Sequence, residues 1–388
     1  MTSGPCRWPS WSTKPLETAD RQPSVDRVLM TADTVGGVWT CAVDLAAALG
    51  ERGVAVGLAT MGAPLSHDQH DQARAVRSLD VFESGFRLEW MDDPWDDVAA
   101  AGEWLLRVAE VYQPDVVHLN GYAHAALPWQ VPVMVAGHSC VLSWWQAVKG
   151  EPAPDRYDRY RREATLGLQA AGIVVAPTRV MLAALDRHYG PLEHTAVIPD
   201  GRDAALFAQG AKEPFIFSAG RVWDEANNIA LLDRAAPRLA WGVYVAGEEK
   251  HPDGGALWAS NVRFLGRLAQ PVLAAWLARA SVYALPARYE PFGLSALEAA
   301  FAGCALVLGD IDSLREVWGD SAVFVPPGDA DALADALNRL AADDALRAEM
   351  AGLARLRALR YTPGRMADGY ASAYRGLLRR RRPAAAAI

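Results

Sequence analysis

Two glutamates eight residues apart, Glu290 and Glu298, flank a turn in the run Arg288-Tyr289-Glu290-Pro291-Phe292-Gly293-Leu294-Ser295-Ala296-Leu297-Glu298-Ala299. The turn opens an apolar helix, and a strand-like run, Ser281 to Pro286, comes just before it. Eight helical residues rise about 12 Å, less if the first turn is unwound. That is comparable to the span from the sugar of a nucleotide-sugar to its ribose. One carboxylate can therefore grip sugar hydroxyls and the other ribose hydroxyls, with the helix N-terminus facing the diphosphate between them. On spacing alone, a strand, a Pro-Gly turn and a helix with two solvated acids account for the same residues.

Further candidates lie elsewhere in the chain. Gly36 and Gly37 sit between the first strand and its helix, where glycine permits close backbone approach to an anion and the helix supplies amide donors. A plain tight turn explains the pair as well. No Gly-x-Gly-x-x-Gly occurs, so a nicotinamide cofactor is not indicated. Arg221 follows the first strand of the second half, where a guanidinium can neutralise a departing diphosphate through paired hydrogen bonds. Asp33, beside the glycines, is either an acceptor contact or a cap. His138 ends one strand, and His118 and Asn120 end another. A lone histidine is more often structural, and that reading is kept for His118. Trp144 and Trp145 can line a sugar pocket or simply pack in the core.

The elements that must position these residues follow a regular alternation. Apolar strands such as Arg27-Val28-Leu29-Met30, Val54 to Ala59, Asp115 to Leu119, Val131 to Ala136 and Gly172 to Ala176 alternate with helical stretches. The second half repeats the pattern with Pro214 to Ser218, Gly242 to Ala246, Ala305 to Leu308 and Ala322 to Val325. This alternation predicts parallel doubly wound sheets, whose ligands bind beyond the carboxyl ends of strands. Regular structure breaks near residues 198–210, at Pro199 and Gly201. No short repeat is present. The stretch Met61 to Glu89 has no readable pattern.

Length and composition bound the rest. At 388 residues with 51% hydrophobic and 22% charged content, the chain is an ordinary globular protein of two domains. A net charge of -8 argues against a general nucleic-acid binder. Four scattered cysteines without paired metal spacing predict reduced thiols and a cytoplasmic location. No apolar run approaches membrane-spanning length. Residues 1–24 read as a disordered lead-in, and the cluster Arg379 to Arg382 as a frayed terminus with at most peripheral membrane contact.

The acidic element resembles the Glu-x7-Glu signature of the retaining family 4 glycosyltransferases. Four further segments match that family in order. They are Thr31-Ala32-Asp33-Thr34-Val35-Gly36-Gly37-Val38-Trp39, Val197-Ile198-Pro199-Asp200-Gly201-Arg202-Asp203, Ser218-Ala219-Gly220-Arg221 and Val262-Arg263-Phe264-Leu265-Gly266. The resemblance implies the GT-B fold, α/β, with two Rossmann-like doubly wound parallel-sheet domains facing a central cleft. It implies an acceptor-side domain over 25–203, a donor-nucleotide domain over 204–361, and a C-terminal helix from 362 crossing back to the first domain.

It also implies roles. Glu290 resembles the sugar-gripping carboxylate, and Phe292, Gly293 and Leu294 the turn whose amides approach sugar and phosphate. Glu298 resembles the ribose-binding carboxylate. A buried, unpaired Glu298 would cost several kcal/mol or take up a proton, so a hydroxyl-bearing partner makes sense of it. Leu265 and Gly266 would lie against the base, and Gly36, Gly37 and Arg221 against the diphosphate. His138 would contact the donor sugar near the reacting centre, with Asp33, Asn120 and Trp144 on the acceptor side. The family's lysine after the arginine is replaced by Asn227, which brings no charge. Lys250 or His251 are substitutes for it. Asp310-Ile311-Asp312 falls inside the second sheet domain, so no metal role is expected.

The implied activity is retaining, metal-independent and cofactor-free transfer of a sugar from a nucleotide diphosphate sugar to a hydroxyl on a small molecule or glycan. The alternatives are a GT-B sugar-nucleotide epimerase, or a catalytically impaired sugar-nucleotide-binding protein. Oligomeric state, donor sugar and base are left open.

Overall fold

The structure is a computed structural model that describes residues 24–249 and 260–381. The N-terminal lead-in to residue 23, Lys250, His251 and the chain from Arg382 onward lie outside the described residues.

The first half alternates strand and helix as its apolar runs require. Its strands are β1 Arg27–Asp33, β2 Ala55–Met61, β3 Leu79–Glu83, β4 Val116–Leu119, β5 Val133–Ala136, β6 Ile173–Ala176 and β7 Thr195–Val197. Its helices are α1 Gly37–Gly50, α2 His67–Ala75, α3 Trp95–Tyr112, α4 Val141–Lys149, α5 Asp158–Ala170 and α6 Arg179–Tyr189. The strands form one seven-stranded sheet, ordered β3-β2-β1-β4-β5-β6-β7, with parallel pairing throughout. The order reverses at the β1–β4 boundary, where two carboxyl ends diverge and a crevice opens.

The second half repeats this plan. Its strands are β8 Glu213–Ala219, β9 Gly242–Ala246, β10 Arg263–Phe264, β11 Ala280–Leu285, β12 Ala305–Gly309 and β13 Val323–Val325. Its helices are α7 Ile229–Ala235, α8 Gln270–Arg279, α9 Leu294–Phe301, α10 Asp312–Trp318, α11 Ala330–Ala342 and α12 Asp344–Ala358. The six-stranded sheet runs β10-β9-β8-β11-β12-β13, again parallel, with its reversal between β8 and β11. The central strand β11 is buried along its whole length, as expected of a parallel sheet covered on both faces.

The last helix, α13 Pro363–Arg381, packs Met366, Ala367, Tyr370, Tyr374 and Leu377 into the core that holds β1 and α1. The chain thus passes between the halves twice, and the crossings touch. Arg202 N donates to Tyr361 O at 3.1 Å. A Cβ on Gly201 would lie 2.4 Å from the Thr362 carbonyl group, so only glycine fits there.

Two strands were not readable beforehand. β3 lies in the stretch without pattern, because a half-exposed edge strand of five residues, Leu-Asp-Val-Phe-Glu, carries little signal. β7 ends at Val197, where the segment taken as the interdomain connection begins, and three residues carry still less.

Candidate functional site

The carboxyl ends of the two sheets meet across one cleft, and residues from both halves come together there. β1 ends at Asp33, and Gly36, with extended backbone, is the N-cap from which α1 starts at Gly37. A Cβ on Gly36 would sit 3.5 Å from Arg221 Nη1, and one on Gly37 would sit 3.4 Å from Leu294 Cδ1. The glycine loop of the first half therefore faces the arginine and the α9 N-terminus of the second. Asp33 Oδ1 accepts from Val35 N at 3.2 Å and Gly36 N at 3.1 Å, bracing the loop that leads into α1. Burial pushes its carboxyl up, and nearby Arg221 works against that.

Arg221 is partly exposed and pairs with Asp224 at 2.9 Å. Asn227 is buried, and its Nδ2 donates to Arg221 O at 2.8 Å, so this side chain braces the loop backbone. The next residue, Asn228, takes φ 60, a left-handed conformation that asparagine tolerates better than most residues. Its amide donates to Pro286 O and Pro327 O, both at 2.8 Å. Leu265 and Gly266 close the neighbouring edge, with Leu265 N on Val245 O and Gly247 N on Gly266 O, each at 2.9 Å.

Glu290 follows β11 and turns back onto its own chain. Its Oε1 accepts from Phe292 N at 3.3 Å and Gly293 N at 2.9 Å. Ser313 holds the Glu290 carbonyl at 2.6 Å, and Thr178 of the first half holds Pro291 O at 3.1 Å. Gly293, with φ 94, provides the left-handed residue from which α9 starts. Burial pushes the Glu290 carboxyl up, while the two amides and Arg221 offset part of the rise.

Glu298 is buried on α9, and the expectation that it lacks a protein partner is corrected. Arg202 donates through Nε to Glu298 Oε1 at 2.8 Å and through Nη1 to Asp44 Oδ2 on α1 at 2.6 Å. One guanidinium with only 6% of its side chain exposed thus joins the first half, the crossing segment and α9. Burial still holds the Glu298 carboxyl up, with Arg202 pulling it down. Among the described residues Glu298 Oε2 accepts no hydrogen bond. Arg202 and Asp44 were missed in the sequence. The signal was Asp44 itself, a lone acid within an apolar helix, which needs a buried cation.

His138 Nε2 lies 2.9 Å from Asn120 Oδ1, and Asn120 Nδ2 donates to Thr31 O at 2.6 Å. His118 is structural. It is fully buried, stacks on Tyr370 at 5.0 Å, bonds Tyr374 Oη at 2.7 Å and is pushed by burial down to about 3. Trp144 reaches across the cleft, its Nε1 donating to Asp224 Oδ1 at 2.9 Å, and Lys149 meets Glu225 at 2.7 Å. Trp145 instead packs against Tyr157. Tyr289 adds a bridge not foreseen in the sequence, its hydroxyl accepting from Cys140 N at 3.1 Å and lying 2.8 Å from Ser143 Oγ. Asp310 is paired with Arg315, away from these groups.

Comparisons with known proteins agree with this architecture. The sequence profile described as Glycosyltransferase Family 4 matches residues 35–206, and that described as Glycosyl transferases group 1 matches residues 213–343. Phosphatidyl-myo-inositol mannosyltransferase of Mycolicibacterium smegmatis is 33% identical over 42% of this chain and 47% of its own length, so this match spans about half of that relative. D-inositol 3-phosphate glycosyltransferase of Xylanimonas cellulosilytica is 29% identical over 90% of this chain and 93% of its own. Among solved structures, sucrose-phosphate synthase from Thermosynechococcus elongatus superposes with a TM-score of 0.75 at 19% identity, covering 92% of this chain and 100% of that one. Anabaena HepE in complex with UDP-glucose superposes at 0.71 and 18% identity, covering 90% and 100%. No helix among the described residues is long and apolar enough to cross a membrane. Two profiles in tandem on two facing doubly wound sheets make this chain a member of glycosyltransferase family 4 with the GT-B fold.

Proposed function

We propose that this glycosyltransferase moves a sugar from a nucleoside diphosphate sugar to a hydroxyl acceptor with retention, without a metal in the transfer step. The observation that carries the reading is the meeting of the Gly36–Gly37 loop with Arg221 and the Glu290 turn from the opposite half. Arg221 and the amides of the two helix starts supply positive potential where a diphosphate would depart. That charge would draw Arg221 from Asp224, its present partner at 2.9 Å. Glu290, held by Phe292 N and Gly293 N, orients the sugar hydroxyls and does not attack the ring. The bond from the anomeric carbon to the diphosphate oxygen breaks while the acceptor oxygen bonds on the same face. The leaving phosphate takes the acceptor proton. Glu298 receives the ribose hydroxyls on Oε2 while Arg202 keeps Oε1. His138 contacts the donor sugar near the reacting centre, and Asn120 lies on the acceptor side.

The relatives' names include inositol-directed enzymes, and a polyol hydroxyl is the acceptor chemistry this chain shares with them. The free thiols of Cys41, Cys140 and Cys304 fit a reducing, cytoplasmic setting. The division into an acceptor-side half to residue 203, a donor half to 361 and a returning helix belongs to the same proposal.

Glu290→Gln is isosteric and keeps an acceptor oxygen for the two amides, so folding should be retained and transfer abolished. Turnover at the wild-type rate in that variant would refute the assignment. A thermal-shift screen against UDP, GDP and ADP identifies the base, because the bound nucleotide raises apparent stability. One observation favours a second reading, binding without turnover: Asn227 stands where the family carries a lysine, and its amide is spent on Arg221 O. Nucleotide release that depends on added acceptor separates the two readings.

A further inference from the structure

Beneath the cleft, a soft thiol, a borderline imidazole and a hard carboxylate converge from distant parts of the chain. Cys41 comes from α1, His138 from the turn after β5, and Asp200 from the crossing segment. Cys41 Sγ lies 3.3 Å from Asp200 Oδ1, and His138 Nδ1 lies 3.8 Å from the same oxygen. All three ligand atoms fall within 4.8 Å of one another. We propose that Cys41, His138 and Asp200 form a binding site for a single Zn2+ ion, at the place where the two halves of the chain are joined.

The polar groups around the triad call for a cation. Asn120 Nδ2 donates to Thr31 O, which turns Asn120 Oδ1 toward His138 Nε2 as an acceptor. The imidazole therefore carries a hydrogen on Nε2 and turns Nδ1 toward a carboxylate. That arrangement is the usual second shell of a metal-bound histidine, whose remote N–H is held by a carbonyl. Asp200 is 4% exposed, and among the described residues its one hydrogen-bond donor is the Cys41 thiol. The gap of 3.8 Å to Nδ1 is too long for a hydrogen bond.

The dimensions suit zinc. Ligands at about 2.0–2.3 Å in a tetrahedron stand roughly 3.3–3.7 Å apart, close to the separations seen here. A thiolate, a carboxylate and a neutral imidazole sum to a charge of about -2, which one divalent ion neutralises in a buried place. A sulfur and a nitrogen in a set of three disfavour Mg2+ and Ca2+, which take oxygen ligands. Met366 Sδ on α13 lies 3.8 Å from Cys41 Sγ. On binding, the Cys41 S–H bond gives way to an S–Zn bond and the proton leaves to solvent. The ion ties α1 to the crossing segment and to the His138 turn, and the site stands whether or not the transfer reading holds.

The test uses the full chain, stripped with a chelator and desalted. It is titrated with Zn2+ against a chromophoric chelator, and separately with Co2+, whose thiolate complexes show a near-ultraviolet charge-transfer band. Expected are one ion bound per chain, the thiolate band, and loss of both in Cys41→Ser, an isosteric change whose fold is checked by near-ultraviolet circular dichroism. Asp200→Asn should also lose the ion. Asn120→Ala should weaken binding about 10–100-fold by releasing the imidazole. No binding to the wild type, saturation without the thiolate band, or unchanged affinity in Cys41→Ser would each overturn the proposal.

Discussion

Replacing Arg202 by methionine tests the ionic joint between the halves most directly. Methionine fills much of the same apolar channel beside Phe207, whose ring lies 5.2 Å from the guanidinium carbon. The charge is removed, and Glu298 and Asp44 are left as two carboxylates that expose only 9% and 15% of their side chains. Breaking a buried ion pair by deleting one partner costs about 3–5 kcal/mol, because the uncompensated charge stays buried. The sign of the pH dependence follows from both carboxyls being raised by burial even with Arg202 present. A raised carboxyl favours the fold below its unfolded value, and that contribution is lost as pH rises through the folded value. Without Arg202 the folded values climb further, so the variant loses additional stability between the carboxylate range and neutrality. Urea unfolding followed by tryptophan fluorescence should show a deficit of about 3–5 kcal/mol near pH 7.5 that shrinks toward pH 5. Arg202→Lys, which keeps the charge but not the fork, should fall between. Adding Glu298→Gln to Arg202→Met should recover part of the loss. A deficit below about 1 kcal/mol at neutral pH, the worth of an ordinary surface pair, would refute the reasoning, as would an equal deficit at both pH values.

Other consequences are open to direct measurement. Arg221→Ala should lower kcat by about 10²–10³-fold, the range for losing one preorganised donor at a developing charge, and steady-state kinetics with saturating donor would reveal it. Tyr289→Phe removes the hydroxyl bridging Cys140 N and Ser143 Oγ, at a cost of about 1–3 kcal/mol to the closed cleft. Small-angle scattering should then record a larger radius of gyration in the absence of donor, and an unchanged radius would count against the bridge. Gly201→Ala drives a methyl group to 2.4 Å from the Thr362 carbonyl, where backbone meets backbone. Its melting temperature should fall sharply, whereas Gly53→Ala, with nothing within 4 Å of its Cβ, should feel only the strain of φ 79.

The sequence alone determined the two doubly wound halves, because apolar runs of strand and helix length are local features that a parallel sheet buries in only one way. Gly36, Gly37 and the Pro-Phe-Gly turn were legible for the same reason, since the chemistry of a turn lies within a few residues of it. Short elements escaped: β3 at a half-exposed edge and the three-residue β7 bury too little to leave a pattern. What only the tertiary structure decided is which charges meet. Arg202 finds Glu298 across 96 residues and Asp44 across 158, and Cys41 reaches Asp200 across 159. Spacing along the chain carries no trace of such contacts. They exist because the chain crosses twice between its halves at one place, where burial removes water and leaves each charge dependent on the partner that folding delivers.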